Sequence, residues 1–562
     1  MVKQLLTPAR VAALAALTLH LSPVATLADS VVTLCHQDDE GGPGLNLETA
    51  LQTGGQITFS CGGLATIRIT KSYLIDKSID ISGADNITLD AESRQLTMFQ
   101  VVSNGLTLSL SHLTLRRARL PGVLSGGLTR LSSASVISTP PLDPFVPIKK
   151  DFSHGTSLIT LQSVDISENE SPVFIGNSDS DVTLRVKNTQ FRANTGYALY
   201  VTGSAELDHS SFVANETGLG IGDGGGARVS SCKFSANKSN GVKLAPFGTL
   251  NLDHSEFQGN TGTSGAGILI DGNANSADLR NVEFNGNVAT ANGGAIAITQ
   301  GAVRVKMVYV DFVGNSAARG GSVDADLAGT NSLTIFAARF EGNHANSQGG
   351  ALYSGPGKVL VAGSIFKGNS AVAGSALFVL ASAQQPMVVA NTLLVRNTGA
   401  GAAIEGIQLD LRNVTIAENQ GGGIRARNLA LARATGAGIA LQNTIVSRNA
   451  PFNCGGFSNL IVFKSQNIQF PADPACHGVS AAEPLLDSIF APLPGSPAYG
   501  TGDLNSCMGP PVDGRDLFFQ QRGVGGVCSM GALEFAPEQF MAWRARYNHT
   551  HNGNQNPNSP HP

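Results

Sequence analysis

The stretch VEFNGNVATANGGAIAI, residues 282–298, sets Phe284 three residues before Asn287, follows with Gly293-Gly294 and closes on alternating apolar residues. The chain rewrites it many times. QFRANTG at Gln190 returns as SFVANETG, KFSANKSNG, EFQGNTG, EFNGNVA, DFVGNSA, RFEGNHA and IFKGNSA. The asparagines of this series are Asn194, Asn215, Asn237, Asn260, Asn287, Asn315, Asn343 and Asn369. Looser copies place Asn169 ahead of it and Asn397, Asn419 and Asn449 behind, with steps of 21 to 30 residues.

A fixed period of this size marks a solenoid, in which each unit packs only on its neighbours. The units are rich in Gly, Asn and Ser, carry short β-branched alternations and lack helical periodicity, so each reads as one coil of parallel strands. Parallel connections are nearly always right-handed. The predicted fold is therefore all-β, a single-stranded right-handed parallel β-helix. Phe191, Phe212, Phe234, Phe257, Phe284, Phe312, Phe340 and Phe366 are expected to point inward as a stacked apolar column. Ala193, Ala214, Ala236, Gly259, Gly286, Gly314, Gly342 and Gly368 are expected at the next inward position, where small size permits a tight corner. The asparagines should form an amide ladder along that corner, and Gly293-Gly294 and Gly349-Gly350 should serve a second corner. Ladder membership also accounts for the glycosylation sequons at Asn169, Asn215 and Asn237.

Composition narrows the functional classes. Apolar residues make up 42% of the 562 residues and charged residues 14%, and the net charge is -4. That excludes a disordered polyampholyte and gives no electrostatic case for nucleic acid. Residues 1–28 read as an export signal, with Lys3 and Arg10, an apolar run over residues 11–21, and Thr26-Leu27-Ala28 as the cleavage site. The run falls short of the roughly 20 residues a membrane span needs, so no transmembrane segment is expected in the mature chain. Seven cysteines fit an oxidising compartment. Their spacing pairs Cys35 with Cys61, Cys454 with Cys476 and Cys507 with Cys528, and leaves Cys232 inside the repeats.

The ends of a solenoid need covering. In GLNLETALQTGGQITFSC, residues 44–61, Asn46 caps a short helix with Leu47, Ala50 and Leu51 on one face and Gly54-Gly55 as its stop. The first coils follow from Ile67. Pro121, Pro140, Pro141, Pro144 and Pro147 break the pattern, so residues of about 116–153 read as a long insertion projecting from the helix. The expected organisation is residues 1–28 as signal, 29–60 as cap, 61–480 as β-helix, 481–535 as a disulfide-stapled C-terminal module and 536–562 as a polar tail. That tail is too short for the strands of a membrane β-barrel.

The capping helix followed by GQITF, then NITLDA at Asn86 and the FxGN…GGA coils, resemble bacterial right-handed β-helix proteins of the pectin-lyase-like superfamily, including the repeats of polymorphic outer membrane proteins. PLPGSPAYGTGD, residues 492–503, with QRG at Gln521 and CSMGALEF at Cys528, resembles the end module called choice-of-anchor Q. This chain has Ser529 where that group usually carries Asp. The resemblance implies export and surface association.

Stacked coils bring candidate chemistry together in columns. The residue before each inward Phe should point outward, giving Gln190, Ser211, Lys233, Glu256, Glu283, Asp311, Arg339 and Ile365 down successive coils. Glu256, Glu283 and Asp311 would lie about 4.8 Å apart, close to the 5 to 5.5 Å of a retaining glycosidase pair, and would also suit calcium. The plainer expectation is a solvated face flanked by Lys233 and Arg339. Asp208-His209 and Asp253-His254 match two coils apart and form a candidate dyad, with surface residues as the plainer account. Twenty-five Phe against seven Tyr and one Trp argue against an aromatic sugar-processing groove. The expected function is an exported surface or adhesion scaffold without catalysis, monomeric, with a polysaccharide or cell-surface ligand. The alternative is a polysaccharide lyase, hydrolase or epimerase.

Overall fold

The computed structural model describes residues 29–101, 105–119, 137–138, 157–170, 173–175, 182–273, 275–299, 303–327, 331–382, 385–427, 438–477, 479–511 and 513–535. They form a single-stranded right-handed parallel β-helix. One coil shows the plan. Ser204–Asp208 and Ser211–Val213 lie in a long sheet, separated by His209 at φ 47°; Asn215 turns the corner and Thr217–Ile221 enters a second sheet. The next coil repeats this in register, with Ser204 opposite Gly226 and Thr217 opposite Asn240. Among the described residues the two sheets hold 28 and 15 strands, and coils with a glycine corner add a four-stranded sheet over Thr261–Ser264, Val288–Asn292, Ser316–Arg319 and His344–Gln348.

The period-2 alternation decides what is inside. In Thr249–Asp253, Leu250 and Leu252 are buried while Thr249 and Asn251 face water. The eight phenylalanines are fully buried. Consecutive rings stack with centroids 4.4 to 5.1 Å apart and planes within 17° of parallel. That separation is the strand spacing itself, so coil stacking and ring stacking are one event.

The asparagine ladder also forms. Asn260 donates its backbone N–H (3.1 Å) and Nδ2 (2.9 Å) to Asn287 Oδ1, and Nδ2 also reaches the Phe234 carbonyl at 3.0 Å. The same pattern runs from Asn169 to Asn449 and ends on Asn453. Asn169, Asn215 and Asn237 are buried with their amides engaged.

The small residues between Phe and Asn correct an expectation. They are not inward: Ala193, Ala236 and Gly259 are exposed, and a Cβ built on Gly259 or Gly286 meets nothing within 4 Å. What they share is a left-handed backbone, from φ 53° at Ala193 to 65° at Gly342. The same corner is held by Glu168, Arg396, Glu418 and Arg448 at φ 53° to 59° in the looser coils. Backbone conformation, not interior space, sets the position. At the second corner both apply, since Gly293 sits at φ 57° and a Cβ there would lie 2.0 Å from the Ile296 carbonyl oxygen.

The N-terminal helix spans Leu47–Thr53, with Asn46 Oδ1 accepting from Thr49 N at 2.9 Å and Gly54 at φ 77° closing it. Cys35–Cys61, Cys454–Cys476 and Cys507–Cys528 are disulfides, with Cα separations of 5.8, 5.3 and 6.7 Å. Cys232 is free and buried. It occupies a hydroxyl column, accepting from Ser210 N while its own N–H donates to Ser255 Oγ, and burial pushes its thiol up to about 12. Within the expected insertion, residues 137–138 pair parallel with Phe99–Val101 and Val173–Ile175, so that point of the segment belongs to the second sheet. Residues 120–136 and 139–156, the leader and the tail lie outside the described residues.

After Ser480–Ala481 the chain folds back along the outer face of the long sheet. Phe490, Leu517, Ala532 and Leu533 cluster with Leu393, Val395 and Ala417, while Ala498 and Met530 join Ile445 and Ile468. Backbone groups lock the contact: Gly531 N donates to the Asn443 carbonyl at 2.7 Å, and Asn413 Nδ2 donates to the Ser506 carbonyl at 3.2 Å. Arg522 is wholly buried and bonds the carbonyls of Ser529 and Gly531 and the Glu534 carboxylate.

Candidate functional site

The outward column before each Phe is in register as expected, Lys233 to Glu256 to Glu283 to Asp311 to Arg339. Its members do not behave alike. Glu256 is half-exposed and pairs with Lys233 at 3.1 Å. Glu283 is partly exposed. Asp311 is only 2% exposed, contrary to the solvated face expected for it, and bonds Arg339 at 3.0 Å. Arg339 in turn lies against the returning chain: Leu517 and Phe519 line a small cavity with Tyr309, Arg339 and Ile365, and Phe519 packs on Tyr309 and Phe336. Arg339 continues to Glu341 at 2.7 Å, which Lys367 reaches at 2.9 Å. Burial raises the Glu341 carboxyl, but Lys367 and Arg339 outweigh it and hold the group below the usual carboxylate range.

His209 and His254 are the left-handed residues that join the two strands of each coil, at φ 47° and 45°. Each bonds its preceding aspartate, at 2.7 and 2.9 Å, and both pairs are exposed. Ser230 lies in register between Asp208 and Asp253. The structure therefore brings each His to its own Asp and leaves a coil between the pairs.

A second column lies outside the expected candidates. At the middle of each second-sheet strand the outward residue runs Ala297, Asp324, Tyr353, Phe378, Glu405 and Arg425. Asp324 is 2% and Glu405 4% exposed. Arg319 bonds Asp324 through Nε (2.6 Å) and Nη2 (3.1 Å), and its guanidinium lies over the Tyr353 ring at 4.1 Å. Tyr353 stacks on Phe378 at 5.8 Å, and Arg427 lies over Phe378 at 5.2 Å. Glu405 accepts from Arg427 at 3.1 Å and from Gly374 N at 3.2 Å. Burial pushes Asp324 up to about 6, with Arg319 opposing it only partly. The signal was present in the sequence. In GGSVDAD, GSALFVL and GGGIRAR the residue between two apolar positions after the glycine corner is the outward one, by the same alternation used for the first column, and Tyr353 and Glu405 hold the matching place in GGALYSG and GAAIEGI.

Asp324 and Glu405 are three strand steps apart, about 14 Å at the usual sheet spacing. That exceeds the roughly 6.5 to 9.5 Å of an inverting carboxylate pair, so these two carboxylates do not match that spacing. Among the described residues no three His, Cys, Asp or Glu side chains group as a metal set, and no helix is long and apolar enough to cross a membrane.

Comparison with known proteins gives three findings. The model of one family, the right handed beta helix region, matches residues 152–317. No curated protein matches the chain. Among solved structures, ORF18 of Geobacillus virus E2 is 14% identical with a TM-score of 0.30, the match covering 57% of this chain and 53% of that one. Tailspike protein 3 of bacteriophage CBA120 is 10% identical with a TM-score of 0.28, covering 79% and 61%. The chain thus spans about half to three fifths of the length of these two structures, and what it shares with the matched family is the right-handed coil itself.

Proposed function

We propose that this chain is an exported surface scaffold that binds a polysaccharide or cell-surface ligand without cleaving it. The observation that carries the proposal is how the outer-face ionisable groups are engaged: Glu256 with Lys233, Asp311 with Arg339, and each candidate histidine with its own aspartate. Each is held by a neighbour, the carboxylates by a residue of the adjoining coil and the histidines by the aspartate before them, and the four are spread over two columns of the long sheet. Three disulfides fit a secreted or surface protein, and residues 1–28 are assigned here as its export signal. Residues 481–535 are read as a choice-of-anchor Q-like module on the resemblance of PLPGSPAYGTGD, QRG and CSMGALEF, and the buried Arg522 of QRG, bonded to Glu534, fits that reading.

The second reading, a polysaccharide-active enzyme, is favoured by one observation, the registered adjacency of Glu256 and Glu283 on neighbouring strands. A panel of polysaccharides separates the two, with binding followed by titration and cleavage by release of new chain ends. The scaffold reading expects binding with no release. Release that disappears in Glu256→Gln or Glu283→Gln, with melting temperature unchanged, would establish the enzyme instead. Calcium held by Glu256, Glu283 and Asp311 would appear in the same samples as a melting temperature that rises with added calcium.

A further inference from the structure

The column on the second sheet ends in an arrangement the coil does not need. Elsewhere in that column the position is filled by Gly220, Lys243, Leu269 and Ala297, so stacking accepts almost any side chain there. In a repeat fold, what recurs serves the coil, and what one coil alone carries is free for other work. At its end two arginines converge on one carboxylate. Arg427 donates from Nη1 to Glu405 Oε1 at 3.1 Å, while Arg425 Nη1 stands 3.8 Å from Glu405 Oε2, beyond hydrogen-bond length. The Gly374 N–H takes that second oxygen, so both oxygens of Glu405 are engaged. Each guanidinium lies over a ring, Arg425 over Phe452 at 5.1 Å and Arg427 over Phe378 at 5.2 Å. The arginine side chains are 35% and 40% exposed, the glutamate only 6%.

Two cations around one buried anion leave a local charge of +1. Each guanidinium carries five N–H donors on a partly exposed side chain that ring contact and ion pairing have already placed. Ordered guanidinium edges are built for oxyanions. A carboxylate has two oxygens, which one arginine satisfies in bidentate fashion. A sulfate or phosphate monoester has three and can bridge both arginines at once. The geometry points to a binding site at Arg425 and Arg427 for a tetrahedral oxyanion ester carried on a glycan chain, with Glu405 as the residue that positions both guanidiniums. The glycan carrier rests on the scaffold proposed above.

The test uses the full chain and one backbone in four forms: dextran, carboxymethyl dextran, dextran sulfate and dextran phosphate, titrated at low and physiological salt. Dextran sulfate, dextran phosphate or both should bind more tightly than carboxymethyl dextran, and whichever form leads identifies the ester. Arg425→Gln/Arg427→Gln should weaken that binding by about tenfold or more, the loss of hydrogen bonds to a charged group. Arg304→Gln/Lys306→Gln, which removes the same charge from the exposed face of Val303–Val313, should leave it nearly unchanged. If the double variant fails to fold, Arg425→Gln alone keeps Glu405 paired with Arg427 and carries the same expectation. Equal loss in both double variants would mean general electrostatics and overturn the site, as would equal binding of carboxymethyl dextran. Binding of neutral polysaccharides without any preference for charged dextrans sinks the site and leaves the scaffold standing. Cleavage of a bound chain sinks the scaffold and leaves the site.

Discussion

Single residues divide here into those the coil dictates and those it merely admits. Asn287 is dictated: its Oδ1 takes two donors from Asn260, and its own amide serves the Phe257 carbonyl and Asn315. Gly286 beside it answers to φ alone, which is why arginine and glutamate hold the equivalent corner in other coils. Asp324 is admitted, and it carries a pH signature. Burial raises its folded pKa to about 6, above the ordinary aspartate value of about 3.9, so the folded state binds the proton more tightly than the unfolded one. The charged form therefore costs stability above pH 6, and that cost is relieved as pH falls through 6 toward 4. Relative to Asp324→Asn, the wild-type chain should gain roughly 1 kcal/mol between pH 7 and pH 5, read from paired denaturation curves. Groups with lowered pKa values, such as Asp90 and Glu341, keep their contribution over this window, lose it only as pH falls below the ordinary carboxylate range, and cancel in the comparison. A pH-independent difference would show that Asp324 is not buried as a charge.

At the scale of an element, each coil is a strand pair, two turns and a strand, and its stability is shared with its neighbours through two columns. Burying one Phe ring contributes about 1.5 to 3 kcal/mol, and truncation adds the cost of the void. Phe284→Ala, between Phe257 at 4.8 Å and Phe312 at 5.1 Å, should cost about 3 to 5 kcal/mol. Asn287→Ala orphans two buried donors on Asn260, at about 1 to 3 kcal/mol each. Both should lower the denaturation midpoint. A loss under about 1 kcal/mol at either position would contradict the column it belongs to. These columns were legible because they recur: a residue type repeated at the coil period reports its own side and neighbours. The second-sheet row was not, because its residues differ from coil to coil, and only the alternation after the glycine corner marks them as outward.

Across the whole molecule, the chain after Ala481 lies against the side of the solenoid. Its partners explain a change visible along the sequence: Met387–Val395 and Leu409–Ala417 are buried nearly throughout, where earlier strands alternate. Ending the chain at Ala481 would expose Leu393, Val395, Ala417, Ile445 and Ile468 together, and a contiguous apolar face of that kind drives association. The truncated protein should keep its β circular dichroism but elute as oligomers and bind a hydrophobic dye; a monodisperse monomer without dye binding would contradict the covering role. Cysteine spacing only suggested the three pairings that the disulfides adopt, whereas the coil, its handedness, the Phe and Asn columns and the capping helix were legible along the chain. The latter follow from periodicity and local chemistry, which repetition makes readable. Only the tertiary structure decided that Asp311 is buried, that the C-terminal segment covers the long sheet, and that Glu405 gathers Arg425 and Arg427. Those contacts join residues with no common period, and a distance between columns or between Asn443 and Gly531 is set by how the chain closes on itself, not by any pattern within a coil.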